Sequence, residues 1–134
     1  MARAHSLAAV PILSSLSPRE LNDLAAAMRE HTYAPGDTLT SEGEGGIAFF
    51  VILEGNATVS VRGEAKGKLA AGEHFGELAM IAGDSRGATI TADTEMRCLS
   101  MTRWEFRPFV IEHPDVAWSL LETMAKRLRE AADA

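Results

Sequence analysis

Short runs with strand character, separated by glycine and other turn residues, occupy the middle of this chain between residues 31 and 101. Many carry β-branched or aromatic side chains, and such runs bounded by turn residues are typical of β-strands. They lie at 38–40, 47–53, 58–61, 68–70, 88–92 and 97–100. Their regular spacing predicts a mainly β fold, either a sandwich or a jelly-roll β-barrel.

A helix is predicted before the strands. Ser17, Pro18 and Glu20 have the spacing of a capping box, with proline at the first helical position. The apolar residues that follow fall on one face of a helix from residue 18 to about 29. They are Leu21, Leu24, Ala25 and Met28.

Two more helices are predicted after the strands. Thr102 can cap a helix that continues to about Ile111, and the sequence 113–115, His-Pro-Asp, starts another. An apolar stripe on this last helix comprises Val116, Leu120, Leu121, Met124 and Leu128. The stripe can cover the barrel, and it can equally form the interface of a homodimer through this helix, so both interpretations stay open.

The composition bounds the class of protein. With 134 residues, of which 46% are hydrophobic, the chain can bury the core of one domain, and we expect residues 1–134 to form it. A net charge of −6 and a pI near 5.2 argue against direct nucleic-acid binding or an anionic membrane surface.

The single cysteine and the apolar segments bear on the compartment. Cys98 has no partner for an internal disulfide, and its place in the apolar run 96–101 indicates a buried thiol. No apolar stretch reaches about 18 residues, and the run 7–16 is interrupted by Pro11. We therefore expect a cytoplasmic protein without a signal peptide or a membrane span.

Residues 75–89 carry most of the chemistry. Gly76 precedes a short apolar stretch that can form one helical turn, and the first N–H groups of such a turn favour an anion. Arg86 can close on the same anion with two parallel charge-assisted bonds, which suits a phosphate. Glu77 would repel that anion unless it accepts a hydrogen bond from a ligand hydroxyl. Phosphate beside ribose is the ligand chemistry that this combination favours.

The same segment resembles the phosphate-binding cassette of cyclic-nucleotide-binding domains, the family of catabolite activator protein and the regulatory subunits of protein kinase A. The match is gapless over 75–81 and 85–89, and residues 33–37 with Gly43 and residues 50–55 resemble the structural glycine pattern of the family. The similarity extends over about residues 10–130. It implies a jelly-roll β-barrel with N-terminal helices and a C-terminal helical lid.

The resemblance also implies a ligand. The cyclic phosphate is expected on Arg86 and on the N–H groups of residues 76–78 and 87–88, the ribose 2′-hydroxyl on Glu77, and the base beneath the last helix. The implied ligand-binding residues are Gly76, Glu77, Leu78, Arg86, Gly87, Ala88, Val59, Leu69 and Arg127. The chain is then a sensor, not an enzyme, that signals by movement of its C-terminal helix to an unknown effector protein or domain.

Two departures from the family pattern affect the prediction of which nucleotide base is recognised. Many relatives have Ala, Ser or Thr after the cassette arginine, and Thr there is linked with guanine recognition. This chain has Gly87, which favours cAMP over cGMP. The bacterial activators place hydroxyl residues after an Arg-Leu pair in the last helix, whereas Arg127-Leu128 is followed by Arg129, Glu130 and two alanines. Base recognition then rests on apolar stacking, Arg127 or Arg129, a water or the backbone.

Each feature also has a plainer interpretation. Glu77 and Arg86 can be an ordinary surface ion pair, and Val59 and Leu69 can be core residues. His74 suggests a metal site in a cupin-like barrel, but the other histidines do not have paired ligand spacing. An enzyme with cupin-like or phosphodiesterase activity on the same ligand would need a metal cluster or a base–nucleophile pair, and the sequence shows neither. The remaining alternative is a domain that has lost its ligand and serves as a protein docking module through the apolar stripe.

Overall fold

In the computed structural model, which describes residues 7–40, 48–76 and 88–133, the strands form two four-stranded antiparallel sheets. They are β1 (Arg29–Tyr33), β2 (Thr38–Thr40), β3 (Ala48–Glu54), β4 (Asn56–Val61), β5 (Glu64–Ala70), β6 (His74–Phe75), β7 (Thr89–Ala92) and β8 (Met96–Thr102). The first sheet has the order β1-β8-β3-β6 and the second β2-β7-β4-β5. The jelly-roll prediction is confirmed.

The helices flank the sheets as expected. They are α1 (Pro18–Ala27), α2 (Arg103–Glu112) and α3 (Pro114–Asp133), with a short 3₁₀ turn at Pro11–Leu13. Both predicted caps are present: Ser17 Oγ accepts from the Glu20 N–H at 3.2 Å, and Thr102 Oγ1 accepts from the Glu105 N–H at 3.3 Å. In the described part of the chain, no helix is both long enough and apolar enough to cross a membrane.

Strand β3 explains how the core is divided. Phe49 and Val51 face a cluster that includes the helices, whereas Phe50 and Ile52 face a second cluster between the sheets. Alternate side chains of a strand point to opposite faces, so the first sheet is buried on both sides. This double burial accounts for the continuous apolar run in β3, where a half-exposed strand would alternate with polar residues.

The sequence prediction missed strands β1 and β6, and it continued the first helix to residue 29. Met28 has an extended backbone, with φ −87° and ψ 152°, and Arg29 already pairs with Ser100 of β8. Pairing with β8 therefore decides the end of the helix, an effect that local helix propensity does not contain. Every run predicted as a strand lies in one, apart from Ile47 and Ala88: Ile47 is outside the described residues, and Ala88 immediately precedes β7.

The apolar stripe predicted on α3 divides between buried and exposed residues. Val116 and Leu120 are buried, whereas Leu121 and Leu128 are 57% and 73% exposed. The helix packs against α2 and the 3₁₀ turn. Only part of the stripe therefore serves the core of the domain.

Candidate functional site

The predicted cassette starts with Phe75, the last residue of β6, and β6 pairs with β3. Phe75 pairs with Phe50, and their rings stack with centroids 4.8 Å apart and planes 4° apart. Gly76 follows with φ +91°, a backbone conformation that suits glycine and strains other residues. The glycine is therefore required by the backbone at the point where the cassette leaves the first sheet.

The cassette ends in the second sheet. Ala88 directly precedes β7, in which Thr89 pairs with Ser60 and Ile90 pairs with Val59 of β4. The first and last residues of the cassette, Phe75 and Thr89, thus lie in different sheets. Glu77, Leu78, Arg86 and Gly87 lie outside the described residues, so their predicted contacts stay predictions.

Val59 and Leu69 are brought together by the pairing of β4 with β5. Ala57 pairs with Leu69 and Val59 with Gly67, which makes Val59 and Leu69 diagonal neighbours on one face. Both are half-buried and pack against the cluster between the sheets. Both residues therefore contribute to the core, as the plainer interpretation of the sequence proposed. Val59 also pairs with Ile90 of β7, the residue that follows the cassette.

Arg127 lies elsewhere, on the exposed part of α3. It borders a concave region of about 460 Å³ together with Thr123 and with residues 71–74, which lead into β6 and the cassette. Val59 and Leu69 do not border this region. The structure thus brings Arg127 to the side on which the cassette starts and does not bring it to the β4–β5 pair.

Two further side chains bear on enzymatic alternatives. His74 is buried, with its ring centroid 5.5 Å from that of Phe49. Cys98 is buried as predicted, and burial raises the pKa of its thiol to about 12, which disfavours the nucleophilic thiolate. Among the described residues, no group of three histidine, cysteine, aspartate or glutamate side chains is arranged to hold a metal ion.

Gly55 supports the structural glycine pattern seen in the sequence. It has φ +99°, and a Cβ atom at this position would clash with the carbonyl oxygen of Glu95. The turn between β3 and β4 therefore admits only glycine without rearrangement. This turn fixes β4, which carries Val59, relative to the strand that anchors β6.

Charged groups on the barrel surface form networks that the sequence did not reveal. Asp93 accepts hydrogen bonds from Thr58 Oγ1 at 2.7 Å and Lys68 Nζ at 3.1 Å, and these contacts, led by that of Thr58, lower the pKa of its carboxyl group. Arg97 donates to Glu30 and Glu54. These residues lie far apart in the sequence, so only the sheet pairing identifies them as partners.

Comparison with known proteins identifies the family to which this architecture belongs. The profile of the cyclic nucleotide-binding domain matches residues 30–113. A cyclic nucleotide-gated potassium channel of Rhizobium etli is 34% identical over 121 residues, which cover 90% of this chain and 34% of the channel. A cAMP-dependent protein kinase regulatory subunit of Yarrowia lipolytica is 37% identical over 73% of this chain and 27% of its own length.

A solved structure has a similar fold. The catabolite activator protein of Thermus thermophilus superposes with a TM-score of 0.84 at 25% identity, over 91% of this chain and 60% of that one. The chain belongs to the cyclic nucleotide-binding domain family, a non-catalytic regulatory fold. It spans about a third of the length of curated relatives that it matches.

Proposed function

We propose that this chain is a regulatory domain that binds cAMP and transmits the bound state through its C-terminal helix. The main support is the gapless cassette sequence, whose first and last residues, Phe75 and Thr89, lie in β6 and β7 of different sheets. Arg86 and the N–H groups of residues 76–78 and 87–88 hold the cyclic phosphate, and Glu77 accepts from the ribose 2′-hydroxyl.

The remaining contacts concern the base. Val59 and Leu69 offer a half-buried apolar surface for the ribose and base beside β7. Gly87 has no hydroxyl to offer a guanine amino group, which favours cAMP over cGMP. Arg127 reaches the base only if α3 moves toward β4 and β5, since here it borders residues 71–74.

Movement of α3 is the proposed output. The helix packs on α2 and on the 3₁₀ turn, and Arg127 borders the strand that leads into the cassette. A ligand that contacts both the cassette and α3 stabilises the conformation in which they are close, which shifts the population of helix positions. The receiver is another protein or domain, and we assign the single domain of residues 1–134 to the cytoplasm, whose reducing conditions suit the thiol of Cys98.

Parallel calorimetric titrations with cAMP, cGMP and AMP test this function. We expect saturable binding of cAMP with a Kd on the order of micromolar or tighter, weaker binding of cGMP, and little binding of AMP, which has no cyclic phosphate. The absence of binding of both cyclic nucleotides would overturn the proposal. Equal affinity for cAMP and cGMP would overturn the assignment of the base alone.

A docking module without a nucleotide is the second candidate, favoured by an apolar groove between α2 and α3. Phe106 and Leu120 line it with half-buried Met124. Such a module would bind a protein segment and ignore all three nucleotides. The same titrations therefore separate the two functions.

A further inference from the structure

The hairpin of α2 and α3 carries a groove that neither helix fills. Its volume is about 410 Å³, and its floor comprises Phe106, Val110, Leu120, Leu121 and Met124. We name these residues the α2–α3 groove. Leu121 is 57% exposed, and Trp118, three residues before it on α3, is 64% exposed. Because residues three positions apart lie on one face of a helix, these two exposed apolar side chains stand on the same side of α3.

Two arginines border the same groove. Arg103 and Arg107 are both exposed and lie four residues apart on α2, so they stand one above the other on one helix face. Neither forms an ion pair or a side-chain hydrogen bond with any part of the chain that the structure describes. Arg97, in contrast, contacts both Glu30 and Glu54. In a chain with a net charge of −6, this pair is a local cationic edge beside an apolar floor.

We propose that the α2–α3 groove binds an amphipathic helix of a partner protein, with carboxylates one turn apart on the flank that faces Arg103 and Arg107. A third helix laid between two packed helices inserts apolar residues at spacings of three and four into such a groove. Two carboxylates at positions i and i+4 of that helix match the one-turn separation of the arginines. The partner is therefore acidic on one flank and apolar on its inner face.

A second copy of this chain fits the groove less well. The exposed apolar residues of α3 at and beside the groove, Leu121 and Trp118, have Asp115 and Glu122 as the flanking acidic residues, whereas exposed Leu128 lies farther along the helix. These two carboxylates are seven residues apart in the sequence, so they lie about two helical turns apart. They do not match two arginines one turn apart, which favours a different protein as the occupant.

A charge-swap binding experiment tests this inference without any nucleotide. The probes are two fluorescein-labelled synthetic helical peptides of about four turns with the same leucine stripe, one with a Glu pair at i and i+4 on one flank and one with a Lys pair there. The Glu peptide should bind the wild-type chain, and Arg103→Glu/Arg107→Glu should weaken it on the order of tenfold or more and tighten the Lys peptide. The control Arg19→Glu/Lys66→Glu changes charge equally away from the groove.

Two further measurements localise the binding. Backbone amide shifts on adding the Glu peptide should concentrate at residues 103–107 and 120–124, and Leu121→Lys, at an exposed position, should abolish them. Equal binding of both peptides, or an effect of the control equal to that of the groove variant, overturns the inference. A wild-type dimer that Arg103→Glu/Arg107→Glu converts to monomers in light scattering also overturns it, since a second copy then fills the groove. Because no nucleotide is present, these outcomes are independent of cAMP binding.

Discussion

The Nδ1 atom of His113 lies 3.0 Å from Oε2 of Glu20. His113 is the residue between α2 and α3, whereas Glu20 belongs to the capping box of α1, where its Oε1 accepts from the Ser17 N–H at 2.9 Å. One carboxylate thus joins the start of α1 to the junction of the two C-terminal helices. This contact links the first turn of α1 to the junction after which the proposed signalling helix, α3, begins.

From the contacts of the Glu20 carboxylate, we predict that the stability of the chain depends on pH in the acidic range. The Ser17 backbone bond, the Ser17 hydroxyl and then His113 lower the pKa of Glu20 from its ordinary value of 4.5. A lowered folded-state pKa means that the stabilisation is present above pH 4.5 and is lost as the pH falls through the folded pKa. Glu20→Gln should therefore show a smaller loss of Tm than the wild type on acidification between about pH 6 and 3.

The matched control for that experiment is Asp23→Asn. Asp23 is an exposed carboxylate on the same helix, with no side-chain hydrogen bond to the described residues. In Asp23→Asn, Tm should depend on pH as it does in the wild type. If Glu20→Gln and Asp23→Asn give the same acid profile, the Glu20 contacts do not contribute as described.

The turn at Gly55 predicts a large effect of one methyl group. In Gly55→Ala, the new Cβ meets the Glu95 carbonyl oxygen and the side chain of Met96, and the positive φ is strained. Such strain costs about 1–3 kcal/mol, which urea denaturation measures as a lower free energy of unfolding. Gly67→Ala in β5 is the control, since nothing lies within 4 Å of its added Cβ. A loss at position 67 as large as that at 55 would contradict the steric explanation.

The divided stripe of α3 predicts unequal effects of leucine truncation. Leu120 is 4% exposed, so Leu120→Ala should lower the free energy of unfolding by about 2–5 kcal/mol. Leu128 is 73% exposed, so Leu128→Ala should change it by less than about 0.5 kcal/mol. Thermal or urea denaturation of the two variants distinguishes this arrangement from one in which the whole stripe covers the barrel, where both substitutions would be costly.

Burial of Cys98 predicts low thiol reactivity. Because burial raises its pKa to about 12, the thiolate is scarce near neutral pH and the sulfur is also sheltered from reagent. A thiol-specific reagent should label the native chain far more slowly than the urea-unfolded chain. Equally fast labelling of both would show that Cys98 is accessible in the folded state.

Much of the fold could be predicted from local sequence. The capping boxes at Ser17 and Thr102 mark helix starts because their side chains satisfy backbone N–H groups a few residues away. Strand β1 was missed because it is polar and lies at the edge of its sheet, where pairing with β8 defines it. The two-residue strand β6 is too short to show a pattern.

The site could be predicted only as a set of residues. The cassette pattern identifies residues 75–89, but the placement of its first and last residues, Phe75 and Thr89, in different sheets depends on long-range pairing. The position of Arg127 beside residues 71–74 depends on the packing of α3. Helical periodicity indicates which face of α3 is apolar, yet the extent of the covered surface comes from α2 and the 3₁₀ turn.

Calorimetric titration of cAMP into the wild-type chain and into Arg86→Ala tests the central proposal most directly. We expect saturable binding to the wild type and a loss of affinity on the order of a hundredfold or more in Arg86→Ala, because a bidentate contact to the phosphate is removed. Arg19→Ala, an exposed arginine on α1, should bind as the wild type does. No heat and no thermal stabilisation of the wild type by cAMP, or equal affinity in Arg86→Ala, would contradict it.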